Sequence, residues 1–195
     1  MSKSDPAASK KERNKTIRWV VTIFFVTILV SGLISLGSEE LMASSNMAVA
    51  FLILFAIVLL GIIFDIIGMA VASADEKPFH SMAARKVPGA QEAISLLRNA
   101  ERVSSICNDV VGDICGVVSG SASATIAAQV LQNFEFSWPR LASLVMSALV
   151  AGLTVGGKAV GKTFAINSCT TIVHSVGRII YRLRRIPDLF RREKT

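Results

Sequence analysis

Five charged side chains interrupt otherwise apolar segments of this chain: Asp65, Asp109, Asp113, Lys158 and Lys162. A charge in such a setting is costly unless it is paired, faces a watery cavity, or serves transport. Asp109 and Asp113 are four residues apart, as are Lys158 and Lys162, so each pair is expected on one helix face. Two acids facing two bases would offset much of the desolvation cost. Asp65 adds a third acid. Asn108, Ser104, Ser105 and Ser73 can supply further oxygens. Carboxylate, amide and hydroxyl oxygens form a hard ligand set, which suits Mg²⁺ or Na⁺ better than soft metals. The candidate ligands are Asp65, Asp109, Asp113, Asn108 and Ser105, with Lys158 and Lys162 as counter-charges. The competing reading is a salt-bridge network that fixes helix register, its lysines snorkelling.

These residues need elements to carry them, and composition says which. Of the 195 residues 52% are hydrophobic, and the mean hydropathy is +0.55. That is a membrane-protein composition. The expected fold is all-α and integral to the membrane: four transmembrane helices, juxtamembrane surface helices and a C-terminal amphipathic helix.

Residues 1–16 are polar and basic and read as a disordered cytoplasmic tail. The first span is residues 17–37, closed by the acidic turn that Gly37, Ser38, Glu39 and Glu40 begin. Its length argues against a removable signal peptide. Residues 46–74 form a second span, interrupted by Asp65. Residues 78–102, broken by Pro78 and Pro88, carry Ala90, Ala93, Ile94 and Leu97 at helical spacing and read as short surface helices. A third span, 103–131, has Gly112, Gly116 and Gly120 at four-residue intervals, a pattern that lets helix backbones approach closely. After a turn, Trp138 marks an interface and Pro139 suits the first turn of a fourth span that ends near Ala159. Residues 166–186 put Ile172, Val173, Val176, Ile179, Ile180 and Leu183 on one stripe, opposite Arg178, Arg182 and Arg185. That segment is expected either to lie on anionic lipid through those arginines or to pack on its own protein. Pro187 is expected to end it, leaving 187–195 as a basic tail.

Loop charges orient the spans. Six Lys or Arg lie at or before Arg18, five in 75–102 and seven after Ala165, whereas 38–45 and 132–137 have none. Both termini and the central region are therefore expected in the cytoplasm, with the chain in the plasma or inner membrane. The acids then fall about 9–15 Å inside the cytoplasmic interface. The net charge of +7 is explained by orientation and lipid, not by nucleic acid.

Several other chemistries fit the sequence poorly. Gly156 to Thr163 matches the P-loop pattern in full. A P-loop joins a strand to a helix, however, and here the motif ends an apolar run with only 32 residues after it. No nucleotide partner is expected. Cys107, Cys115 and Cys169 give no disulfide framework, since Cys107 and Cys115 stand about 12 Å apart along a helix. His80 and His174 have no acidic partner at a telling spacing, so no enzyme activity is expected.

The segment Gly89-Ala90-Gln91-Glu92-Ala93-Ile94-Ser95-Leu96-Leu97-Arg98-Asn99-Ala100-Glu101-Arg102 resembles a juxtamembrane pattern of the CNNM/CorC magnesium-transporter family. The order of elements from Phe64 to Tyr181 is similar to that family's transmembrane domain, residues 46–186 here, with the first span as an extra element. No paired CBS domains follow in this sequence. The resemblance implies a Mg²⁺ transporter working by alternating access as a homodimer. The family's Gly-Glu-x-x-Pro-Lys motif would fall on Gly157-Lys158-Ala159-Val160-Gly161-Lys162. Lys158 then stands where the family has a cation-facing Glu, and the cation site diverges.

Overall fold

The computed structural model of the chain describes residues 6–43, 45–133 and 139–192. Among these the regular structure is helical throughout, with no strand. The long helices are α1 (Pro6–Ala43), α2 (Met47–Ser73), α6 (Asp113–Asn133), α7 (Pro139–Asn167) and α8 (Cys169–Arg192). Between α2 and α6 lie α3 (Lys77–Ala84), α4 (Ala90–Arg98), α5 (Ala100–Ser105) and a π-helical turn, Ile106–Gly112, that runs on into α6. Four stretches are long and apolar enough to cross a membrane: Ile17–Met42, Met47–Ser73, Ala100–Leu131 and Arg140–Asn167.

Local sequence explains the element ends. The Asn46 side chain accepts a hydrogen bond from the Val49 amide at 3.0 Å and caps α2. Pro78 occupies the first turn of α3, where its missing N–H costs nothing. Gly89 precedes α4 with φ +86°, a backbone state open to glycine and costly for other residues. A break at Asn99 separates α4 from the third long stretch.

The elements extend beyond the sequence expectations at several ends. α1 starts at Pro6, so the described part of the expected tail is helical, and it runs past the expected acidic turn to Ala43. α7 reaches Asn167, eight residues beyond Ala159. α8 continues through Pro187 to Arg192. Trp138 and residues 134–137 of the expected turn lie outside the described residues.

Packing forms two buried clusters with the charged residues between them. One joins Met42 of α1 to Ala50, Leu54 and Val58 of α2 and to Ala122 and Ile126 of α6. The other gathers Ala70 and Val71 of α2, Phe79 of α3, Ala93 and Leu97 of α4, Ala165 of α7 and Val173 of α8. Glycines set the closest approaches. Gly157 and Gly161 of α7 seat Ile62 and Ile66 of α2, and Gly61 of α2 seats Cys115 of α6. The P-loop-like segment is therefore continuous helix, and two of its glycines serve helix packing. Outward faces are apolar: Leu29 is 64% exposed and Leu149 65%. A water-soluble bundle would turn such side chains inward.

α8 packs on α4. Gly177 meets the Gly89 carbonyl and the Ala93 amide, and His174 lies 3.3 Å from the Pro88 carbonyl. Val173 is fully buried, while Ile179 and Leu183 of the same stripe stay exposed, as do Arg178, Arg182 and Arg185. One strip of the amphipathic helix thus serves the protein, and its flank and basic face remain open.

Candidate functional site

Asp65 points from α2 towards Lys158 of α7, with Oδ1 and Nζ 3.8 Å apart. Both are largely shielded, the side chains 18% and 26% exposed respectively. The pair lies beside Gly112, the last residue of the π-helical turn. A Cβ on Gly112 would sit 3.3 Å from Lys158 Nζ and 3.9 Å from Asp65 Oδ1. The absence of a side chain there is what opens space for the lysine to reach between the helices. The reach is physically sensible: a buried carboxylate or ammonium alone would cost several kcal/mol, and pairing recovers part of it.

The other acids stand apart from this pair. Asp109 is exposed and accepts a 2.6 Å hydrogen bond from the Ser105 hydroxyl. Asp113 is exposed and lines a groove between α6 and α7. The π-helical turn Ile106–Gly112 contains Asp109 and ends immediately before Asp113, and its wider winding alters the spacing expected of a plain α-helix. Sequence reasoning paired Asp109 and Asp113 with the lysines. Lys158 is instead paired with Asp65. Lys162 is exposed and outside the groove.

Asn108 sits in the π-helical turn against Gly68 of α2, whose missing Cβ makes room for the amide. Its Nδ2 donates to Ser104 Oγ at 3.3 Å. Its Oδ1 is buried without a hydrogen-bond partner. A buried, unpartnered carbonyl oxygen is costly, and π-helical turns recur at functional sites. The sequence flagged Asn108 but gave no sign of the π winding.

The groove holds about 570 Å³ and runs from Asp113 and Lys158 along a wall of small residues that includes Gly116, Gly120, Ser123 and Ser147. Nothing lies within 4 Å of where a Cβ on Gly116 or Gly120 would be. The regular glycines of α6 therefore face open space rather than another helix of the same chain. Ser119 and Ser123 donate to carbonyls of their own helix, at 2.9 Å in each case, so their protons are already engaged.

Among the described residues, no three His, Cys, Asp or Glu side chains converge into a group able to hold a metal ion. Cys107 and Cys115 are free and buried, and Cys169 is free. The arrangement offers one internally neutralised carboxylate, one carboxylate in an open groove, and one unpartnered amide oxygen close by in the chain. Compared with known proteins, the chain matches no family model, no curated protein and no solved structure.

Proposed function

We propose that this chain is a multi-pass membrane protein with a polar site near the cytoplasmic face, at which a hard divalent cation, Mg²⁺ foremost, competes with Lys158 for Asp65. The observation that carries the reading is the Lys158–Asp65 pair, held between two long apolar helices beside a glycine. An ammonium on a flexible stem is a replaceable counter-charge. Asp113 stands in a groove that Lys158 also lines, and Asn108 keeps a free acceptor in the adjoining turn. In this reading a cation reaches Asp113 through the groove, draws on Asp65 as Lys158 swings away, and passes on by alternating access. Asp109, Ser105 and Lys162 lie towards the cytoplasmic end and serve as relay oxygens and counter-charge. The resemblance of residues 89–102 to the CNNM/CorC pattern supports Mg²⁺ as the ion. The open faces of Gly116, Gly120, Gly152 and Gly156 support a homodimer, because small residues permit close helix contact in lipid. Arg178, Arg182 and Arg185 would bind anionic headgroups, with both termini cytoplasmic.

A second reading is favoured by a specific observation: the acids do not converge. The protein would then be a non-transporting membrane scaffold or lipid- or partner-binding protein, its Asp–Lys pair purely structural. Flux separates the two. Under the first, the protein in liposomes admits Mg²⁺, and Asp113→Asn abolishes entry while leaving thermal stability near that of the parent. Absence of Mg²⁺ entry in the folded parent protein decides for the scaffold.

A further inference from the structure

Arg18, Trp19 and Thr22 of α1 and Arg102 of α5 line one cleft of about 430 Å³. Residues far apart in sequence thus bring two arginines to a single cavity, and among the described residues no carboxylate lines it. Neither arginine is ion-paired among the described residues. Like charges sharing a cleft repel, and an anion between them would turn that cost into a gain.

The details favour a phosphate group. The Arg102 guanidinium carbon lies 5.6 Å from the centroid of the Trp19 ring. Stacking on an aromatic face fixes the guanidinium plane while its N–H edge stays available, and that edge matches phosphate oxygens two at a time. The Thr22 hydroxyl donates to the Arg18 carbonyl at 2.8 Å, so its proton is engaged within α1 and the threonine serves as wall. Among the described lining residues, the donors left for an anion are the two guanidinium groups and the indole N–H. A phosphate, with several acceptor oxygens, can span two such forks.

We propose that Arg18 and Arg102, braced by Trp19, form a phosphate-binding site that links α1 to α5. Arg18 lies next to the first residue of the apolar run Ile17–Met42, and Arg102 lies two residues into the run Ala100–Leu131. Both therefore stand where an apolar run begins, the level at which lipid headgroups and interfacial tryptophans meet. An anionic lipid is accordingly the source of the phosphate. That choice of source rests on the membrane reading, whereas the phosphate site itself does not.

The test uses the full chain in maltoside micelles with Trp138→Phe, which leaves Trp19 as the one tryptophan of the two in the sequence. Trp19 emission is titrated with phosphatidylglycerol, with a phosphate-free galactolipid, and with inorganic phosphate in the absence of added lipid. The expected result is a saturable change with phosphatidylglycerol and none with galactolipid. Saturation by inorganic phosphate alone would keep the site and assign it to free phosphate. Arg18→Gln and Arg102→Gln should each weaken the midpoint by about tenfold, whereas Arg140→Gln should leave it unchanged. If one glutamine variant does not fold, the parent titration and Arg102→Lys still decide the matter. Absence of saturation with both phosphatidylglycerol and phosphate would overturn the proposal. So would a titration that Arg140→Gln weakens as much as the two cleft variants do.

Discussion

Lys158 is the residue on which most of the chemistry turns, because it converts a lone carboxylate into an ion pair. Removing either partner strands a charge between helices, which costs more than removing both. Asp65→Asn and Lys158→Met should therefore each lower stability by about 1–3 kcal/mol, and the double change should cost less than their sum. Thermal unfolding in detergent gives the coupling, and strictly additive losses would mean that the 3.8 Å pair contributes nothing. Space matters as much as charge at this scale. A Cβ on Gly68 would fall on the Asn108 side chain, whereas one on Gly32 would meet nothing. Gly68→Ala should cost about 1–3 kcal/mol by overpacking, while Gly32→Ala should be neutral or slightly stabilising. Equal melting temperatures for these two variants would contradict the packing of Asn108 on α2.

At the scale of elements, the contact between α4 and α8 depends on two backbones touching. Gly89 combines φ +86° with a neighbour, the Arg178 backbone, at 2.5 Å from a would-be Cβ. Gly89→Ala should therefore strain the turn and push α8 off α4 together. Arginine-specific proteolysis within α8 should then accelerate at least several-fold, with little change after Arg85, which is exposed in the parent as well. A similar principle explains what could be read from the sequence alone. Long apolar runs and Gly or Pro punctuation located the four long stretches, since those signals depend on composition over a window. The amphipathic stripe of α8 was also legible, because its period is local. The π-helical turn was not: Ile106–Gly112 has no residue that distinguishes it from α-helix, and its close contact with α2, Asn108 and Cys107 against Gly68, is non-local. The site inherits that gap. The charged residues were visible, but their pairing depends on rotation about the third stretch, so Lys158 was matched to Asp109 and Asp113 rather than to Asp65. The cleft at Arg18 and Arg102 was hidden for a different reason: it joins residues on two elements far apart in the sequence.

For the whole molecule, charge and fold together make a directional claim. The apolar exteriors of α1, α2 and α7 have no favourable place in water, and four stretches reach spanning length. Such a bundle has two ends. At one end lie α3, α4 and α8 with Arg85, Arg98, Arg178, Arg182 and Arg185; at the other lie Ser45 and Asn46, at the start of α2, with no Lys or Arg from 38 to 45 in the sequence. Basic residues are retained on the cytoplasmic side, so the end bearing α4 and α8 should face inward. This orientation can be checked with single cysteines in a chain whose Cys107, Cys115 and Cys169 have been replaced. Ser45→Cys should react with a membrane-impermeant maleimide on intact cells. Arg85→Cys and Arg185→Cys should react only after permeabilisation, although both side chains are exposed on the protein itself. Labelling of Arg85→Cys from outside would invert the molecule and place the Asp65–Lys158 pair near the wrong face for a cytoplasmic cation. Labelling of all three positions in intact cells would mean that the apolar helices do not cross a bilayer, and the lipid source of the phosphate at Arg18 and Arg102 would fall with them.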